Sequence, residues 1–160
     1  MMKMMIAAAA TLTLAATPAL AQSKPVIGPY GFGGVKLGMT LKQAKATGKI
    51  VKKIPGSAES CSGWDLKKYP TGKDSLRLYI SPKVGVAAVF APKAAKTPEG
   101  IAIGSAASQL KKAYPHLKKD VHGFWTTTVP GNKKAYYSFT VAQHKVKEFG
   151  IALKTQDCFN

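Results

Sequence analysis

The chain has 160 residues, with 24 Lys plus Arg against 7 Asp plus Glu, for a formal net charge of +17. Arg77 is its single arginine, so the guanidinium forks that dominate specific phosphate and base contacts are nearly absent, and a nucleic-acid role is disfavoured. The lysines are dispersed in pairs, among them Lys52-Lys53, Lys67-Lys68, Lys111-Lys112, Lys118-Lys119 and Lys133-Lys134. They leave two readings open: a generally basic, solubilising surface, or a docking face for an anionic cell-envelope polymer.

Lys3 precedes an apolar stretch, Met4–Ala16, and Pro18 precedes Ala19-Leu20-Ala21, an A-x-A cleavage signal. This is the pattern of a secretory signal peptide, too short and Ala-rich to make a good membrane span. Cleavage after Ala21 leaves 22–160, one α+β domain by length, with no further stretch able to cross a bilayer. A secreted or periplasmic location is the expectation. Residues 22–32 form a Gly/Pro-rich lead with Tyr30 and Phe32 as anchors.

Gly33–Gly48, GGVKLGMTLKQAKATG, reads as a short strand, a Gly turn at Gly38, a helix and a stop at Gly48. Thr40 and Gln43 have the spacing of a capping box. Met39 and Ala44 occupy the staple positions. Ile50-Val51 reads as a short extended piece and Pro55-Gly56 as a turn. The remainder up to Asp74 is too polar and turn-rich for a long element. Trp64, close to Cys61, reads as packing with a ligand contact as the alternative. A hairpin follows. Leu76, Leu78 and Ile80 alternate with Arg77 and Tyr79, and Ser81-Pro82-Lys83 turns the chain into Val84–Phe90, which is apolar on both faces and therefore expected mid-sheet or under a helix. Ala91–Pro98 connects to the second half.

Gly100–Pro115, GIAIGSAASQLKKAYP, aligns without gaps on the first unit, 66 residues later: Gly104 on Gly38, Gln109 on Gln43, Leu110 on Ala44. Ala106 stands where Thr40 would, so Ser105 is the expected cap, with Ser108 three residues on. Leu110, Ala113 and Tyr114 supply the apolar helix face and Pro115 the stop. Phe124–Val129, Ala135–Val141 and Lys147–Lys154 follow as strands, with Tyr137, Phe139, Val141, Phe149, Ile151 and Leu153 facing the core. The expected fold is therefore α+β: an antiparallel sheet with two short helices packed on one face, built from a diverged internal repeat with halves at about 33–92 and 98–160. One sheet of five or six strands is expected, two small sheets being the alternative.

The Gly38-Met39-Thr40 motif with Gln43, matched more faintly by Gly104 and Gln109, resembles the repeated unit of domains related to beta-lactamase inhibitory protein. It is also similar to the small lipoprotein domain of the outer-membrane assembly machinery. The resemblance implies helices paired with an antiparallel sheet, and action by binding other proteins on an open sheet face. The lipoprotein versions carry a Cys at the mature N-terminus, which this chain lacks. Segments such as ISPKVGVAAVFAPK, TPEG, KKAYP and QDCF also resemble a family of uncharacterised small secreted bacterial proteins, which implies no activity.

The chain has two cysteines, Cys61 and Cys158. In an oxidising compartment they are expected to pair within the chain, the alternatives being an intermolecular bridge or free thiols. The catalytic inventory is sparse. His116, His122 and His144 and the seven acids sit in no motif of characteristic spacing, although His116 and His122 flank Asp120. No catalytic residue, cofactor or metal is assigned. The expected function is a secreted protein-binding or inhibitory module. An envelope-associated protein on anionic polymer and a hydrolase without a recognisable motif are the alternatives. The candidate binding platform is Arg77, Tyr79, Phe124 or its neighbour Trp125, Tyr136 and Ser138, all on strands whose outward side chains could lie on an uncovered face.

Overall fold

A computed structural model of the protein describes residues 24–159. The signal peptide expected at 1–21 lies outside the described residues. A minimal hairpin, β1 (Gly31–Phe32) and β2 (Val35–Lys36), precedes α1 (Leu41–Ala46). Then come β3 (Ile50–Ile54), β4 (Ser62–Leu66), β5 (Leu78–Ser81), β6 (Gly85–Phe90), α2 (Ala107–Ala113), β7 (Lys118–Lys119), β8 (Trp125–Val129), β9 (Asn132–Ala142) and β10 (Lys145–Leu153). The strands from β3 onward form one antiparallel sheet of eight strands, in the order β3-β4-β5-β6-β10-β9-β8-β7. Each half of that order is a meander led by a helix, and the halves meet through their last strands, β6 and β10.

The sheet is wider than the five or six strands expected because β4 and β7 carry no pattern of their own. β4, SGWDL, is buried at all five positions, so it shows no alternation. Its Asp65 is accommodated by the Thr71 backbone N–H at 2.7 Å, the Thr71 hydroxyl at 2.9 Å and the Lys53 ammonium at 3.5 Å. β7 is two lysines long. Both edge strands, β3 and β7, carry lysine pairs, which discourages pairing with another chain.

Both helices carry, as their third residue, a Gln that reaches back to the N-cap. In α1 the Thr40 Oγ1 accepts from the Gln43 N–H at 3.2 Å while Gln43 Oε1 accepts from the Thr40 N–H at 2.9 Å, a complete capping box. In α2 the N-cap is Ala106, not Ser105. Gln109 Oε1 accepts from the Ala106 N–H at 2.9 Å, the half of the box that needs no hydroxyl. Ser105 Oγ is occupied one turn earlier, accepting from Ala102 N–H at 3.0 Å.

The strand-to-helix turns dock on the sheet alike. Gly38 N–H donates to Val86 O at 2.9 Å and Val86 N–H to Met39 O at 2.8 Å. In the second half Gly104 N–H donates to Val146 O at 2.8 Å and Val146 N–H to Ser105 O at 2.9 Å. Both glycines hold positive φ, +79° and +93°. Each turn thus clips its helix to the last strand of its own meander.

One face of the sheet, with Leu78, Val89, Ile151, Tyr137 and Phe139, packs with Ala44, Leu110 and Tyr114 of the helical segments into one core. The Tyr114 ring centroid lies 5.9 Å from that of Tyr137 and 5.6 Å from that of Phe139. The hydroxyls of both tyrosines are satisfied: Tyr114 donates to Glu99 Oε2 at 2.6 Å, and Tyr137 to Ile27 O at 3.0 Å. Burial raises the pKa of both well above the ordinary tyrosine range, and Glu99 adds to the effect at Tyr114. A group raised on folding gives its full contribution below its unfolded pKa of about 10 and loses it as pH climbs, because only the unfolded chain then releases the proton. Each tyrosine therefore costs about 1.4 kcal/mol per pH unit above about pH 10. Urea midpoints measured from pH 8 to pH 11.5 should fall less steeply for Tyr114→Phe than for the parent; parallel slopes would contradict this account.

Cys61 and Cys158 form a disulfide with Cα atoms 5.6 Å apart, across a sequence separation of 97. Among the described residues no helix is long and apolar enough to cross a membrane.

Candidate binding face

The face of the sheet turned away from the helices can be read in rows from the strand register. Tyr79 pairs with Ala88, Ala88 with Ala152, Ala152 with Tyr136 and Tyr136 with Thr128. The next row runs Phe90, Gly150, Ser138, Thr126, and a third begins Glu148, Thr140. Tyr79 and Tyr136 thus stand in one row, three strand spacings or roughly 14 Å apart, with two alanines between them. The small residues make a floor and the aromatics make walls.

The C-terminal tail completes one wall. The disulfide draws residues 154–159 back toward Cys61, which precedes β4. Phe159 then packs against Tyr79 at 5.6 Å and Phe90 at 6.1 Å, between ring centroids, and the Tyr79 and Phe90 rings meet edge-on at 6.1 Å. Tyr136, Phe124 and Asp120 form the opposite side, with Gln156 between. The resulting trough has a volume of about 340 Å³. Desolvation raises the Tyr136 pKa; a hydrogen bond with Gln156 opposes the shift and the Asp120 carboxylate adds to it.

Of the six candidate residues, Tyr79, Phe124, Tyr136 and Ser138 line this trough. Trp125 does not. It pairs with Phe139 across β8 and β9, so it turns toward α2, where Lys111 Nζ stands 5.2 Å from the centre of its ring. Phe124, its neighbour, therefore takes the opposite side and remains 39% exposed. Arg77 lies beside the trough, not in it. Its Nε donates to Tyr69 O at 3.3 Å and its Nη1 to Ala91 O at 3.0 Å, tying the β4–β5 connection and the residue after β6 to the start of β5. Trp64, 5% exposed, is packed in the core and donates from Nε1 to Ser62 Oγ at 2.8 Å.

Sequence reasoning missed Phe90, Phe159, Gln156, Asp120 and Glu148. The tail had a usable signal: once Cys158 is bridged to Cys61, Phe159 must follow it onto the sheet. Among the described residues, two side-chain carboxylates, Asp120 and Glu148, and no lysine line the trough. Asp120 Oδ1 accepts from the His122 and Phe124 N–H groups at 3.0 and 2.9 Å, so it also shapes the turn that presents Phe124. Among the described residues, one group of metal-ligating types converges, Cys61, Cys158 and Asp157, and both of its sulfurs are in the disulfide, which leaves no thiolate to bind a metal. No protein-family model, curated protein or solved structure matches the chain.

Proposed function

We propose that the chain is an exported protein-binding module that holds an extended, apolar segment of a partner protein in the aromatic trough. One observation carries this reading: the trough has aromatic walls, a floor of small residues and no lysine, in a chain of net charge +17. Affinity at protein interfaces concentrates in aromatic anchors within desolvated pockets. The two carboxylates select for a segment that is neutral or basic, and the hydroxyls of Tyr136, Ser138 and Thr140 offer hydrogen bonds to its backbone. Export is supported by the leader sequence and by the disulfide. The matching turn-to-sheet hydrogen bonds of the two halves favour their descent from one duplicated unit, and with it the relationship that the Gly-Met-Thr motif suggests. The alternative of an anionic envelope polymer draws on the lysines outside the trough.

Selection of random peptides on the immobilised protein tests the reading. Enriched peptides should be apolar with Lys or Arg and poor in Asp and Glu. Their binding should resist 0.5 M salt and weaken at least about tenfold, or about 1.4 kcal/mol, in Tyr136→Ala or when Ser138→Trp fills the floor. Acidic peptides, released by salt and indifferent to Ser138→Trp, would instead assign binding to the lysine surface.

A further inference from the structure

A second cavity, of about 580 Å³, lies where the N-terminal lead, the β1–β2 hairpin, the end of α1 and the end of β4 meet. It shares no lining residue with the trough. Its base is apolar. Phe32 and Leu66, each 3% exposed, back it, and the apolar surface open to it comes from Val26, 45% exposed, and half-buried Tyr69, whose ring stands 5.5 Å from that of Phe32, between centroids. Its rim carries Lys49, Lys67 and Lys68 and no acid. The Lys67 N–H donates to Lys49 O at 2.8 Å, which holds these two lysines side by side beyond the last β3–β4 pair. Lys49 extends its ammonium over Gly34 in the β1–β2 turn, so closely that a side chain on that glycine would meet it. Lys68 Nζ stands 5.9 Å from the Tyr69 ring centre. Among the described residues the ion pair found is Lys53–Asp65, so none of the three rim ammonium groups has a carboxylate partner.

An apolar hollow with a few polar groups at one edge is the usual form of a small-molecule site. Three uncompensated cations at that edge set the sign of the ligand. They repel one another, and an anion placed among them gains attraction from all three while relieving that repulsion. The apolar base sets the rest: a bare inorganic anion leaves Val26 and Tyr69 unused.

We propose that this cavity binds a small amphipathic anion, its apolar body against Val26 and Tyr69, over the buried Phe32 and Leu66, and its single anionic head among Lys49, Lys67 and Lys68. The site is independent of the peptide trough. The test compares two fluorescent probes that share an N-phenyl-naphthylamine body. 1-Anilinonaphthalene-8-sulfonate carries an anionic head, and N-phenyl-1-naphthylamine carries none. The sulfonate should bind the parent protein more tightly than the neutral probe. Dodecanoate should displace it, and inorganic phosphate at the same concentration should not. The double variant Lys49→Gln/Lys68→Gln changes only exposed side chains. It should weaken the sulfonate at least about fivefold and leave the neutral probe within about twofold. Ser138→Trp should change neither. Equal affinity for the two probes, sulfonate binding untouched by the lysine variant, or binding abolished by Ser138→Trp would each overturn the proposal.

Discussion

Replacing Cys61 and Cys158 together by serine is expected to lower the stability of the protein by about 4 kcal/mol. The reason lies mainly in the unfolded chain. The bond joins residues 97 apart, nearly the whole span from β4 to the tail, and so removes the conformational freedom of a long loop from the denatured ensemble. Against a total of about 5–15 kcal/mol for a domain, such a loss is large. Urea unfolding reads it directly, and the slope with urea should rise as the unlinked chain expands. The folded state changes at one place. Phe159 loses its tether, so its packing on Tyr79 and Phe90 competes with the freedom of an untied terminus. Amide exchange should accelerate at 154–159 before it does in β9 or β10. A double variant within about 1 kcal/mol of the parent would show that the bond does not limit the unfolded chain in this way.

The parts of the fold that sequence makes legible are those whose pattern is local. The Thr40–Gln43 cap, the alternation of Leu78, Tyr79 and Ile80, the inward set Tyr137, Phe139, Phe149 and Ile151, and the cysteine pair all follow from spacing or from a count of two. What escapes depends on contacts made elsewhere. β4 is unreadable because its Asp65 is tolerable only once Thr71 and Lys53 reach it. The β9–β10 turn places Gln143 and His144 at φ +51° and +57°, with none of the Asn-Gly chemistry that would announce it. Its reward is also distant: His144 O accepts from the Ala107 N–H at the start of α2. The candidate binding face divides on the same line. Alternation settles that Tyr136 and Ser138 share a face. It cannot decide between Phe124 and Trp125, because that choice rests on the register with Phe139. Nor can it tell that Arg77 is occupied by the carbonyls of Tyr69 and Ala91.

The second large effect is expected at Gly85. It begins β6 with φ +74°, and a Cβ there would stand 2.8 Å from Gly38 O and closer still to Met39 O. These are backbone atoms of the turn that clips α1 to the sheet, so no rotamer change relieves the clash. Gly85→Ala must either push the turn away, breaking the Gly38–Val86 and Val86–Met39 hydrogen bonds of 2.9 and 2.8 Å, or distort the start of β6. Adding the cost of positive φ to that of the displaced turn gives a loss of about 3 kcal/mol. Gly104→Ala is the informative comparison. Its φ of +93° is as unfavourable for a side chain, but nothing lies within 4 Å of the Cβ position, so strain alone operates and the loss should stay near 1 kcal/mol. The difference between the two variants therefore measures close approach of the backbones, separated from conformational preference. Urea midpoints of the two variants and the parent give it. If Gly85→Ala proves no more damaging than Gly104→Ala, the first turn is free to move, and α1 is held by its packing at Ala44, not by its clip to β6.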